Sequence, residues 1–227
     1  MLIFRLTIGV IIQVVTFSAF LFLPAWTVHW WRAWVFLGAV WVASAATLLA
    51  LYPRSRDLLV ERLKSPIQKG QPLADRVVLL LFVVEFYALL VLIPLDVFRF
   101  HLLPHPNLIV SSLGLLLAAA GWIIIYLTFR DNAFATAVVR HQEERNHIVI
   151  DTGVYAIVRH PMYFGGVLLL LGIPLWLESY AAALFAILPI LTLALRLTIE
   201  ERFLIHKLEG YDAYLKKVRY RLIPFIW

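Results

Sequence analysis

Residues Leu2–Leu23 read LIFRLTIGVIIQVVTFSAFLFL, an almost unbroken apolar block that stops at Pro24. About 20 such residues suffice for a helix to cross the hydrocarbon core of a bilayer, so the block is expected to be a membrane span. No small-residue cleavage site precedes Pro24, and the block therefore reads as a retained helix and not a signal peptide. The pattern recurs. Further apolar runs occupy Trp34–Tyr52, Val77–Val97 and Leu108–Phe129, and two more follow at Tyr163–Trp176 and Ala181–Ile199. The first of that last pair is short for a full crossing, and the turn LESY (177–180) is expected to fold the two into a hairpin over 161–199. Composition agrees, with 63% hydrophobic residues and a mean hydropathy of +0.87, against about 45–50% apolar residues in a soluble domain. The expected fold is all-α: a polytopic integral membrane bundle of five to six membrane helices.

The polar segments set its orientation. Residues 53–76 carry Arg54, Arg56, Arg62, Lys64, Lys69 and Arg76 against Asp57, Glu61 and Asp75. Short loops rich in Lys and Arg stay on the cytoplasmic side. By alternation the insert 130–160, with Arg130, Arg140, Arg145 and Arg159, is cytoplasmic as well. Six embedded helices then leave both termini in the cytoplasm. The tryptophans of WTVHWWRAW (26–34) suit an interfacial belt at the other face. In the polar tail, Leu204, Leu208, Tyr211 and Leu215 recur at helical spacing, as in an interfacial amphipathic helix broken near Gly210. Two regions result, 1–129 with membrane helices and the basic loop, and 130–227 with the unusual residues.

Composition also excludes chemistries. Without cysteine there are no disulfides, no thiolate catalysis and no Cys-ligated zinc or iron–sulfur site. The net charge of +6 reads as attraction to lipid headgroups, not to nucleic acid. His141 and His147 do not have a recognised ligand spacing, and no metal is expected. Glu85 is the ionisable exception within the first four spans; an intramembrane carboxylate marks either function or a hydrogen-bonded helix contact.

Chemistry concentrates after position 130. In TGVYAIVRHPMYFGG (152–166), Pro161 suits the first position of a helix, and His160 before it is pushed toward extended backbone. The first-turn N–H groups, at the positive end of the helix dipole, can accept an anion. Arg159 and His160 add donors, Tyr155 and Tyr163 add flat faces and hydroxyls, and Gly153, Gly165 and Gly166 permit close backbone approach. This stretch is either a pocket floor or a headgroup anchor. In RLTIEE, Arg196 and Glu200 share a helical face: either they pair with each other, or a closed hairpin brings both beside Arg159–His160. In VRHQEERNHIVIDTG (139–153), the alternation HIVI suggests an extended segment.

One ordered set of residues resembles a known family. His147, Val149, Gly153, Tyr155, Arg159, His160, Pro161, Tyr163 and Gly165, then Arg196, Glu200, Glu201, Tyr211, Tyr214, Ile223 and Pro224, look like the isoprenylcysteine carboxyl methyltransferases and their prokaryotic relatives. The resemblance covers roughly 130–227 and extends to the phospholipid N-methyltransferases of the same superfamily. It implies a C-terminal, cytoplasm-facing catalytic region that binds S-adenosylmethionine. The residues it implies for the cofactor are Gln142, His147, Ile148, Val149, Ile150, Tyr155, Arg159, His160, Pro161, Met162, Tyr163 and Glu200. Arg196 is implied as the catalytic, substrate-binding arginine, with Glu201 also on the substrate side. The methyl acceptor is expected to be lipophilic and to enter from the bilayer, with an isoprenylated cysteine carboxylate as the family reference. A phospholipid amine or small thiol is the alternative; an NADPH-dependent sterol-type reductase and a non-catalytic lipid-binding protein are more distant ones.

Overall fold

A computed structural model describes residues 1–68, 70–140 and 142–227; Lys69 of the basic loop and His141 of the expected histidine pair lie outside them. The helices are α1 (Leu2–Ala25), α2 (Trp31–Leu51), α3 (Arg56–Arg62), α4 (Leu73–Leu95), α5 (Leu108–Asp131), α6 (Pro161–Trp176), α7 (Tyr180–Phe185), α8 (Ile187–Lys207) and α9 (Tyr211–Lys217). Among the described residues five helical spans are long and apolar enough to cross a membrane: α1, α2, α4 continued by a π-helical turn to Phe100, α5, and α7–α8 taken together. Among the described residues there is no β-strand. The chain is a polytopic helical membrane bundle, as its hydropathy indicates.

Three differences from the sequence-based boundaries have local causes. The last apolar run is two helices, because Pro189 cannot donate to Phe185 four residues earlier; the chain bends at Ala186. Helix α8 does not stop near Ile199. It continues to Lys207, so Arg196, Glu200 and Glu201 are carried on one rigid element. Within the basic loop, 56–62 forms α3, a helix too short to register as periodicity.

Helix α6 has 16 residues, about 24 Å at 1.5 Å per residue. It nevertheless joins the two ends of the bundle. Its principal neighbour is α5, not α8, and the reason is glycine. A Cβ on Gly165 would lie 2.6 Å from the Gly121 carbonyl oxygen, and one on Gly172 would lie 2.5 Å from that of Gly114. The two helices therefore touch backbone to backbone, as small residues allow in membranes, where helix association relies on close van der Waals packing. This is the close approach that Gly165 serves, and it is to α5 and not to a ligand. Gly153 is also committed internally, with φ +58 and with Asp131 against the place a Cβ would take.

The remaining spans close the bundle: α4 packs on α1 and α8, and α2 on α1 and α5. One apolar cluster fills the interior, from Phe17 and Leu21 through Leu89, Leu90 and Ile93 to Leu170, Leu193 and Leu197. At the end away from the polar segments a clasp locks it. Arg32, buried among Trp31 and Trp176, pairs with Glu178 at 3.2 Å and donates to the Trp176 carbonyl. Asp96 accepts from the Ser179 hydroxyl at 2.6 Å, while the Ser179 oxygen caps α7 by accepting from the Ala182 N–H. Glu85 leaves one carboxylate oxygen buried without a hydrogen-bond partner among the described residues.

Candidate active site

Asn132 leaves helical geometry with φ −130° and ends α5. The chain from there to Arg140 forms a strap held to the bundle at alternate residues. Arg62 Nη1 donates to the Ala135 carbonyl at 2.9 Å, and Arg196 Nη2 donates to the Ala137 carbonyl at 2.6 Å. The Val139 N–H donates to Asp75 Oδ2 at 3.1 Å, and Arg140 pairs with Glu61 at 3.0 Å. Burial raises the Glu61 carboxyl, but the ammonium of Lys64 and the guanidinium of Arg140 outweigh it and hold the group below the usual value. Three of the groups that fix the strap, Glu61, Arg62 and Asp75, come from the basic loop and the first turn of α4.

Asp75 is fully buried. Its Oδ1 accepts from Arg196 Nε at 2.8 Å, and its Oδ2 accepts from Gln71 Nε2 at 2.7 Å as well as from Val139. Arg196 thus turns to Asp75 and not to Glu200, and the (196, 200) intrahelical pair does not form. A buried guanidinium requires a full set of partners, and α8 places Asp75 and the strap nearer than the exposed side of its own helix. Arg196 is 5% exposed, and its guanidinium lies 5.9 Å from the centre of the Tyr163 ring.

The start of α6 follows the sequence closely. Pro161 takes the first helical turn, His160 before it has φ −125°, and no side chain caps the helix. The tail fixes this turn from outside: the N–H groups of Arg159 and His160 donate to the carbonyls of Tyr220 and Arg221, each at 2.9 Å. Two adjacent glutamates then take opposite parts. Glu201 is 4% exposed and held by Arg159 Nε at 3.2 Å, His160 Nε2 at 3.3 Å and Arg221 Nε at 3.1 Å. Glu200 accepts from the Tyr163 hydroxyl at 2.6 Å, with His160 Nδ1 at 3.9 Å, and its side chain is 27% exposed. The His160 and Tyr163 rings stack at 5.5 Å. The result is a corner where Arg159 and Arg221 outnumber the enclosed Glu201, beside one accessible carboxylate.

Between this corner and the strap lies a pocket of about 760 Å³, counting the open space at its mouth. Its wall contains Gln142, His147, Ile148, Val149, Ile150, Tyr155, Arg159, His160, Met162, Tyr163 and Glu200. The structure therefore brings together eleven of the twelve residues expected around the cofactor. Pro161 is not in the wall; it starts the helix beneath it. Arg196 and Glu201, expected on the substrate side, are not in the wall either: Arg196 lies behind Tyr163, and Glu201 behind His160. Gln142 faces the pocket, but its amide is engaged internally, donating to the Phe134 carbonyl at 2.9 Å and accepting from Arg145 at 2.5 Å. Residues 147–150, read from HIVI as an extended segment, have no regular secondary structure.

Sequence reasoning missed the strap residues of the wall, Asn132, Phe134, Thr136 and Arg140, which no periodicity marks. It also placed the tail differently. The apolar stripe of Leu204, Leu208, Tyr211 and Leu215 packs with Tyr214 and Val218 on Val149, closing the pocket's outer side. Tyr214 donates to the Tyr155 carbonyl at 2.8 Å. Burial pushes the Tyr211 and Tyr214 hydroxyls well above their usual pKa, and the charge of Glu200 adds to the rise at Tyr211. Both remain protonated donors. Among the described residues no cluster of His, Cys, Asp or Glu has the arrangement of a metal site.

Comparisons with known proteins fall on this same part of the chain. Residues 109–209 match the phospholipid methyltransferase family. The protein-S-isoprenylcysteine O-methyltransferase of Schizosaccharomyces pombe is 28% identical over 109 residues, which cover 44% of this chain and 46% of that relative. The chain thus matches less than half the length of the curated relative. Both similarities support the superfamily that unites isoprenylcysteine and phospholipid methyltransferases.

Proposed function

From that superfamily and this pocket, we propose that the protein is an integral-membrane methyltransferase that takes its methyl group from S-adenosylmethionine and passes it to a lipophilic acceptor, with a carboxylate as the favoured nucleophile. The observation that carries the reading is the division of labour between Glu200 and Glu201 beside the uncapped start of α6. S-adenosylmethionine is a zwitterion attached to a flat base, and the residues present fit each portion. The first-turn N–H groups of α6 and the positive corner at Arg159 and Arg221 suit its carboxylate. Glu200 suits its ammonium, and Tyr163 orients Glu200 for that contact. The apolar and aromatic side, Val149, Leu204, Leu208, Tyr211 and Tyr214, suits the base.

When bound, the cofactor supplies a methyl group already activated by a sulfonium. The protein's task is then to bind, align and exclude water. The strap covers one side of the pocket and the tail helix α9 the other. A carboxylate acceptor needs no general base. An amine acceptor, which the phospholipid family description brings forward, has to lose a proton. Among the described residues Glu200 is the one acidic side chain in the wall, and in this reading it is taken by the cofactor's ammonium; Glu201 is surrounded by cations and withdrawn. This arrangement favours the carboxylate. The membrane spans place the pocket at the bundle end with the basic loop, which we assign to the cytoplasmic side, with both termini there.

The test is methyl transfer by the purified protein. With methyl-labelled S-adenosylmethionine, an S-farnesyl cysteine derivative should acquire base-labile label, and phosphatidylethanolamine vesicles should not. Label appearing in the vesicle lipid instead would establish the amine reading, and label in neither acceptor would leave the carboxylate and phospholipid readings both refuted.

A further inference from the structure

The family match begins at residue 109, yet the most thoroughly bonded acid near the pocket is Asp75, on a helix outside it. Its carboxylate joins three separate parts of the chain: the basic loop through Gln71, the last span through Arg196, and the pocket strap through the Val139 N–H. Arg196 completes a closed ring by donating Nη2 to the Ala137 carbonyl, two residues from Val139. That leaves Nη1 without a hydrogen bond among the described residues, and the guanidinium carbon lies 5.9 Å from the centre of the ring of Tyr163, which lines the pocket.

We propose that Asp75 is a positioning residue of this site, fixing Arg196 and the 137–139 strap against each other so that the guanidinium is held in one orientation behind Tyr163, where its charge draws the carboxylate of the acceptor. The acceptor half of this statement rests on the methyltransferase reading above; the coupling of Asp75, Arg196 and the strap does not. Physically, two bonds to Arg196 fix the plane of its guanidinium, and an arginine so held has lost its rotamer freedom before any acceptor arrives. The Asp75 carboxylate supplies one of the two and neutralises the cation, and by holding the Val139 N–H it also fixes the strap whose Ala137 carbonyl supplies the other. The charge is supplied by the first turn of α4, so the N-terminal spans contribute to the site more than a hydrophobic frame.

The decisive experiment is a double-mutant cycle on the full chain in detergent or nanodiscs, with Asp75→Asn, Arg196→Gln and the double variant. Two quantities are read: hydrogen exchange of the peptide containing 134–140, referred to one from α5, and the kinetics of methyl transfer. Each single variant should accelerate strap exchange by about tenfold or more, and the double variant should add less than about twofold, because residues in one network are not additive. Asp75→Asn should raise the acceptor KM by about tenfold or more and change S-adenosylhomocysteine affinity by less than about threefold. Unchanged strap exchange in Asp75→Asn, or effects that multiply in the double variant, would overturn the coupling. An equal loss of cofactor affinity and acceptor KM would reduce Asp75 to a structural residue. If Asp75→Asn alone yields too little folded protein because it leaves a buried cation unpaired, the neutral double variant is compared with Arg196→Gln: equality supports the coupling, and a further tenfold loss contradicts it. A wild-type protein that transfers no methyl group refutes the proposed reaction, while the exchange cycle still decides whether Asp75 positions the strap.

Discussion

Gly165 and Gly166 are neighbours on α6, and the structure assigns them opposite sensitivities. A methyl group on Gly165 would sit 2.6 Å from the Gly121 carbonyl oxygen and 2.8 Å from Ile125 Cγ1, well inside the 3.4 Å where ordinary contact begins. The opposing atom is backbone on a long helix, so α5 and α6 must move apart. Overpacking of this kind costs about 1–3 kcal/mol. The displacement also reaches the pocket, because α6 begins only four residues earlier at Pro161 and carries Tyr163. On Gly166 the same methyl would meet Leu193 Cδ1 at 3.5 Å, an ordinary contact with a flexible end. There the intrinsic gain of alanine over glycine in a helix, about 0.5–1 kcal/mol, prevails. Gly165→Ala should therefore unfold at a lower temperature than wild type in detergent and bind S-adenosylhomocysteine less tightly. Gly166→Ala should unfold at or above the wild-type temperature and bind normally. Equal behaviour of the two variants, or a tolerated Gly165→Ala, would refute the backbone-to-backbone contact between α5 and α6.

Other consequences follow from single contacts. Because the Glu61 carboxyl lies below its unfolded value, its contribution is present above the ordinary carboxylate pKa and is lost as pH falls through the lower, folded one; strap protection, taken relative to the intrinsic exchange rate at each pH, should fall in acid, and Glu61→Gln should remove that dependence. Tyr214→Phe deletes the bond to the Tyr155 carbonyl, which should cost about 0.5–1.5 kcal/mol and weaken S-adenosylhomocysteine binding several-fold by calorimetry. Lys217→Ala is the contrasting case: its pair with Asp151 is solvent-exposed on both sides, and the variant should unfold at the wild-type temperature.

The membrane spans and the start of α6 were legible in the sequence because their causes are local. A run of leucine, isoleucine and valine needs no partner to be recognised as a span, and proline after Arg159–His160 sets helix geometry by itself. Asp75 was not legible. In sequence it is one acid in a basic loop, and its importance appears only when α4 and α8 bring it to Arg196. The pairing of Arg196 with Glu200 failed for the same reason: spacing shows which groups can meet, while burial decides which partner a guanidinium takes. The strap from Asn132 to Arg140 has no periodicity, since its bonds are made at alternate backbone groups to residues far away in the chain. The glycines were recognised as sites of close approach, but only the fold shows that Gly165 approaches α5. The tail's apolar stripe was visible, and its partner, Val149, was not.

The most direct test of the central claim is isothermal titration of purified wild-type protein and Glu200→Ala with S-adenosylhomocysteine, with NADPH titrated in parallel. Glu200 is partly exposed and receives one internal hydrogen bond, so the variant should fold. Loss of a charge-assisted contact of about 1.5–3 kcal/mol corresponds to affinity weakened by roughly tenfold to more than a hundredfold. Saturable binding to wild type, weakened to that degree in Glu200→Ala and with no affinity for NADPH, is the predicted result. Absence of S-adenosylhomocysteine binding to the folded wild-type protein, or equal affinity in the variant, would contradict it.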